Sequence, residues 1–214
     1  PQAVSDLDAA QHRRIPAATV SARAEWAKIS KPDQFGRIAT RLQALIAAAQ
    51  LGAVRDGAAM VPAALQQSGF PEKPLGTVNP AGFVNIASDG RALDSLLWLT
   101  PAMAEQAGGP IVQQMAAGQN FLDLLVQRQV ADAGRGASGV AITATANCGW
   151  VRYVNPPCCQ RCGILAGRIY RHSHGFQRHH LCDCQMRPVS DREPPAGYTD
   201  TVTPDQIHDL TEAQ

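Results

Sequence analysis

The residues best suited to chemistry in this chain crowd into one stretch near its C-terminus. Cys158-Cys159-Gln160-Arg161-Cys162 is followed, after sixteen residues, by His179-His180-Leu181-Cys182-Asp183-Cys184. A Cys-x2-Cys spacing lets two thiolates grip one metal ion from a tight turn. Cys159 and Cys162 have that spacing, and His179-x2-Cys182 or His179-x4-Cys184 supplies a second pair across the intervening loop. Structural zinc takes four such nitrogen and sulfur ligands tetrahedrally. The expected site is therefore one structural zinc on Cys159, Cys162, His179 and one or both of Cys182 and Cys184, with His180 as the alternative histidine. Disulfides among the same cysteines, or buried thiols, are the competing readings. Cys148 and Cys158 read as packed or incidental, and His172 and His174 as loop histidines.

A catalytic zinc keeps an open coordination position and a neighbouring acid, and this many ligands would close the site. A deaminase pattern needs His-x-Glu upstream of the cysteine pair. His12 is the one histidine upstream of Cys158, and it lacks that glutamate. His-Glu-x-x-His, Gly-x-Ser-x-Gly and P-loop motifs are all missing from the sequence. The expectation is a protein that is not an enzyme.

The elements that must position the cluster follow from composition and periodicity. Apolar residues make up 45% of 214 residues and aromatics 5%, with alanine prominent, so the core should consist of closely packed helices. Pro1 to Arg14 is polar and reads as poorly ordered or a short helix. Thr19 to Ile29 reads as a helix anchored by Trp26. From Gln34 to about Gln67, Ile38, Leu42, Leu45, Ile46 and Ala49 recur at helical spacing, with a break or kink expected at Pro62. Residues 69–90 are rich in Gly and Pro and read as an irregular connection packed through Phe70, Leu75, Val78, Phe83 and Val84. A helix should begin at Ala92 and re-initiate at Pro101, and a long one should run from about Pro110 to Ala137.

The period then changes. Val140-Ala-Ile-Thr-Ala-Thr and Trp150-Val-Arg-Tyr-Val read as two strands joined through a Gly149 turn, a β-hairpin leading into the cysteine cluster. A short apolar helix is expected from Gly163 to Tyr170. Thr203-Pro204-Asp205-Gln206 has the cap, proline and glutamine of a helix start. With no stop signal before Gln214, that helix reads as cut short, and a chain beginning at Pro1 reads as trimmed. The fold class expected is α+β, mostly helical: a helical region 1–137, a β-hairpin plus zinc module 138–190, and a linker with the start of a C-terminal helix 191–214.

Charge is balanced, at a formal +1, but unevenly spread. Between Asn147 and Arg192 there are seven arginines and two acids, a local basic patch that reads either as a surface of solvated guanidinium groups or as a contact for phosphate or an acidic protein surface. No uninterrupted apolar run is long enough for a membrane span, and no charged segment followed by an apolar one marks a secretory signal.

The runs VRYVNPPCCQRCGILAGRIY and GFQRHHLCDCQMRPV resemble the C-terminal module of Mu gpF-like (MuF) minor head proteins of tailed phages, most nearly those of actinobacteriophages. VNPAGF, ASDGRALDSLL and QVADAGRGA are similar to the same subgroup, so the resemblance covers roughly residues 78 to 189. The family's cysteine pair falls on Cys159 and Cys162, its His-x2-Cys-x-Cys on His179, Cys182 and Cys184, and its aromatic on Tyr170. The chain departs from the pattern at His180, where proline is usual, and at Cys158, which adds a competing thiol. The resemblance implies a virion component of the capsid interior, assembled in a bacterial host cytoplasm, supporting head morphogenesis near the portal. Its implied partners are the portal protein or the major capsid protein. The arginine-rich module adds packaged DNA as a partner expected from charge. The alternatives are a zinc-ribbon-like nucleic-acid binder and a capsid maturation protease. Salt-dependent DNA binding would favour the first. Cleavage of capsid protein through Cys158 would favour the second.

Overall fold

The computed structural model describes residues 2–154, 156–177, 184–192 and 202–208. Six α-helices and three strands occur among them: α1 (Gln2–Trp26), α2 (Ala39–Gln67), α3 (Leu93–Leu97), α4 (Leu99–Gln106), α5 (Ile111–Thr143), β1 (Cys148–Tyr153), α6 (Gln160–Leu165), β2 (Ile169–Arg171) and β3 (Gln185–Ser190). Single 3-10 turns lie at Pro32–Arg37, Pro80–Gly82 and Pro204–Gln206. The class is α+β, a helical N-terminal region followed by a small sheet.

The chain divides into two compact units. One comprises Asp6–Asp56 and Asn79–Ala137; the other comprises Pro1–Ser5, Gly57–Val78 and Ser138–Gln214. The second takes in the chain from Ser138, where the sequence changes period, together with Pro1–Ser5 and the C-terminal part of α2.

The first unit is helix on helix. Ala18, Ala22 and Trp26 of α1, Leu42 and Ile46 of α2, and Leu122, Val126 and Val130 of α5 fall at spacings of four and share one buried cluster. Small residues let the helices approach. A Cβ on Gly118 of α5 would lie 2.8 Å from Trp26 Cη2 and 2.9 Å from Ala104 Cβ, so glycine is required there. The buried Trp26 indole donates to the Met115 carbonyl at 3.0 Å, which satisfies its one polar atom. Phe35 meets Trp98 edge to face at 5.1 Å.

The irregular connection is fastened by two buried glutamines, which periodicity does not reveal. Gln50 donates to the Ile86 carbonyl at 2.9 Å and accepts from the Asn85 N–H at 3.0 Å. Gln129 accepts from the Ser88 N–H at 2.7 Å. A segment without regular ladders needs such partners for its backbone. Leu75, expected to pack, is 86% exposed.

Four local expectations are corrected. α1 runs continuously from Gln2 and passes through Pro16. α2 passes through Pro62, so of the break or kink expected there the break does not occur; Pro62 is exposed while Met60, Val61, Ala64 and Leu65 on the inner face are buried, and their packing outweighs the lost hydrogen bond. The strand expected from Val140 is the last turn of α5, where Ala137, Ala141 and Ile142 are buried at helical spacing. There Thr143 and Thr145 donate their hydroxyls to the carbonyls four residues back, so tertiary packing overrides β propensity. Gly149 lies inside β1 and makes no turn.

β1 is the central strand of a three-stranded antiparallel sheet ordered β2-β1-β3. Its partners come from later in the chain, not from a preceding hairpin strand. Pro188 sits opposite Trp150 on β3, which among the described residues pairs with β1 alone; a missing donor is tolerated on such an edge. Cys148, Trp150 and Met186 of the sheet, Val61 and Leu65 of α2, and Ala141 and Ile142 of α5 form the core of the second unit.

By length and composition α2 reaches the range of a membrane-crossing helix. Its residues Leu42, Ile46 and Ala53 and its residues Val61 and Leu65 are instead buried in protein cores.

Candidate metal centre

Beyond β1, the chain builds a second, smaller apolar cluster around sulfur. Val154, Cys158, Cys162 and Cys184 are buried together, with Cys159, Ala166, Phe176, Val202 and Ile207 packed against them. Three expected ligands, Cys159, Cys162 and Cys184, therefore converge, although Cys184 is remote in sequence. Cys159 occupies the N-cap of α6, and its sulfur accepts the Cys162 N–H at 3.4 Å. That bond fixes the Cys-x2-Cys turn. α6 ends at Leu165, earlier than the expected Tyr170, because Ile169–Arg171 is drawn into the sheet as β2.

His179 and Cys182, and with them the alternative His180, lie outside the described residues. Among the described residues no group of three or more His, Cys, Asp or Glu side chains is arranged to hold a metal ion, and no disulfide joins two cysteines. The sulfur donors and their apolar wall suit zinc in chemical type. The expected four-ligand set adds His179 to Cys159 and Cys162, with Cys182 or Cys184 as the fourth ligand.

Cys158 is not incidental to this cluster. Its N–H donates to the Gln206 carbonyl at 2.9 Å, and its carbonyl accepts the His208 N–H at 3.0 Å. Ile207 thereby closes over α6. The turn at Pro204–Gln206 keeps the expected cap, with the Thr203 N–H donating to Gln206 Oε1 at 3.1 Å. It then passes into extended backbone at Ile207, so the helix expected there stops after one turn. The apolar Ile207 and Val202 serve the cysteine cluster.

Cys148 belongs to the other core. Burial first, and the Asp191 carboxylate second, push its thiol from an ordinary 9.0 up to about 12. It stays protonated near neutrality, the form that neither attacks nor binds metal well. His172 and His174 are exposed, and the His174 carbonyl accepts the Trp150 indole N–H at 3.2 Å.

Among the described residues the arginines of the basic patch divide between exposed and engaged ones. Arg161, Arg168 and Arg171 are exposed. Arg192 pairs with Glu72 at 2.6 Å, and Arg187 lies 3.7 Å over the Tyr153 ring. Arg152 is 4% exposed; its Nη2 donates to the Gln177 carbonyl at 2.6 Å and its Cζ lies 4.4 Å from the Phe176 centroid. Sequence reasoning missed its burial. The signal was the alternation of β1, which places Arg152 on the same face as Trp150.

No protein-family model, curated protein or solved structure matches this chain.

Proposed function

We propose that this chain is a structural minor head protein of a tailed phage, held inside the capsid near the portal, with one structural zinc in its C-terminal module. The motif resemblance of residues 78 to 189 to MuF-like proteins supports the reading. The observation that supports it is the convergence of Cys184, remote in sequence, with Cys159 and Cys162 on one buried cluster. Zinc there would be held by Cys159, Cys162, His179 and Cys182 or Cys184. It would act as a cross-link whose binding energy is folding energy. α6 and β2 supply few large buried side chains of their own, so a cross-link is what such a small module needs. The helical unit would offer surfaces to portal or capsid protein, and the exposed Arg161, Arg168 and Arg171 could meet acidic neighbours or packaged DNA.

The test is mass spectrometry of purified virions, with heads and tails separated, combined with zinc analysis of the isolated chain. The chain in the head fraction, with close to one zinc per molecule, is the expected result. Its absence from heads overturns the assignment, and a chain that holds no zinc while its cluster cysteines are oxidised overturns the metal.

A further inference from the structure

A recess of about 650 Å³ opens beside the sheet, lined by Trp150, Arg152, Arg161, Ile164, Leu165 and Tyr170 among others. Arg152 is its unusual feature. The residue is 4% exposed, its Nε is buried with no hydrogen-bond partner, and among the described residues no carboxylate pairs with it. Arginine cannot shed its proton in a protein, so this charge persists wherever it is buried. Buried charges are ordinarily paired, because leaving one uncompensated is costly. The Gln177 carbonyl and the Phe176 ring meet only part of that need.

We infer that the recess receives a carboxylate from an acidic, partly apolar segment of a partner protein. A planar guanidinium matches a carboxylate two bonds at a time. Arg161, exposed on α6, adds a second cation at the mouth. Ile164 is 58% exposed on the same helix and, with Leu165, gives the mouth an apolar side that a peptide would cover. Nucleic acid fits less well. Single strands bind by stacking bases on open aromatic faces. Here Trp150 is 1% exposed, stacked on Tyr170 and edged by Phe176. Duplex phosphates lie on a convex surface and do not reach a recessed guanidinium. The recess would take such a segment whatever assembly the chain serves.

The test is calorimetric titration of the full chain with a short acetylated, amidated peptide of alternating leucine and glutamate. Its glutamine counterpart and oligo-thymidylate serve as controls. Saturable binding of the glutamate peptide is expected, about tenfold or more tighter than the glutamine peptide, as charge-assisted hydrogen bonds imply. The Arg152 Nε–H resonance should shift on binding. Arg152→Gln should abolish that preference. Should this variant fail to fold, Ile164→Glu at the exposed mouth decides, because it repels the peptide without disturbing the core. Equal affinity for both peptides, no binding, or binding unchanged in Ile164→Glu overturns the inference. So does oligo-thymidylate binding that the peptide cannot displace and Ile164→Glu removes.

Discussion

Trp150 and Tyr170 sit directly opposite each other on β1 and β2, and their rings stack with centroids 4.2 Å apart and planes 16° from parallel. β2 is three residues long, with Ile169 and Arg171 both exposed. The stack is therefore its main side-chain tie to the sheet. Trp150 faces Tyr170 on one side and Phe176 on another, so this single indole joins β1 to β2 and to the loop that follows.

Trp150→Ala should cost roughly 3–5 kcal/mol, in the range of large aromatic deletions from a core. Tyr170→Leu keeps apolar area and loses the stacked pair, about 1 kcal/mol. Urea unfolding followed by far-ultraviolet circular dichroism measures both. Equal losses in the two variants would show that Tyr170 contributes more than its ring pairing.

Gly149 is fixed by close approach of its neighbours. A Cβ there would lie 2.6 Å from the Tyr170 carbonyl oxygen, and that backbone cannot yield without breaking the β1–β2 register. Gly149→Ala should destabilise the sheet by about 1–3 kcal/mol, as overpacking does. Faster amide exchange in β1 and β2, with α5 residues 111–137 unaffected, is the expected signature.

Cys148 gives stability a pH dependence of known sign. Its thiol titrates near 12 in the folded chain against an ordinary 9.0. Above about pH 9 the unfolded chain loses this proton while the folded chain keeps it, so the unfolded state then binds fewer protons. The contribution is fully present below pH 9 and falls as pH rises towards 12. Denaturation midpoints at pH 8 and pH 10.5 should fall further for the parent than for Cys148→Ala. An identical fall would refute the assignment.

On the proposed zinc reading, a chelator, or Cys162→Ser, should unfold the sheet and the cysteine cluster while leaving most of the helix intact. Hydrogen exchange read separately at Cys148–Tyr153, at Gln185–Ser190 and at residues 111–137 of α5 follows the two units independently. Unchanged protection in β1 and β3 after complete chelation would mean that the module holds itself without metal.

Sequence alone determined the elements whose signals are local. The recurrence of Leu42, Ile46 and their neighbours at helical spacing marked α2, the long helical stretch expected from about Pro110 marked α5, and Cys159-x2-Cys162 marked the turn at α6. The helical majority and the late change of period follow from these patterns, because a helix's apolar stripe repeats within a few residues.

Only tertiary structure decided what depends on partners far along the chain. Val140-Ala-Ile-Thr is helical because Ala141 and Ile142 meet Val61 and Leu65 in one core. β1 is central because its partners come from residues 169–171 and 185–190. Ile207 covers the cysteines because the Gln206 carbonyl and the His208 N–H pair with Cys158. Arg152 looked like a surface cation, and a neighbouring helix and loop buried it. The alternation of β1 put Arg152 on the face of Trp150, but that this face is covered depends on the loop packed over it, which is a property of the assembled neighbours.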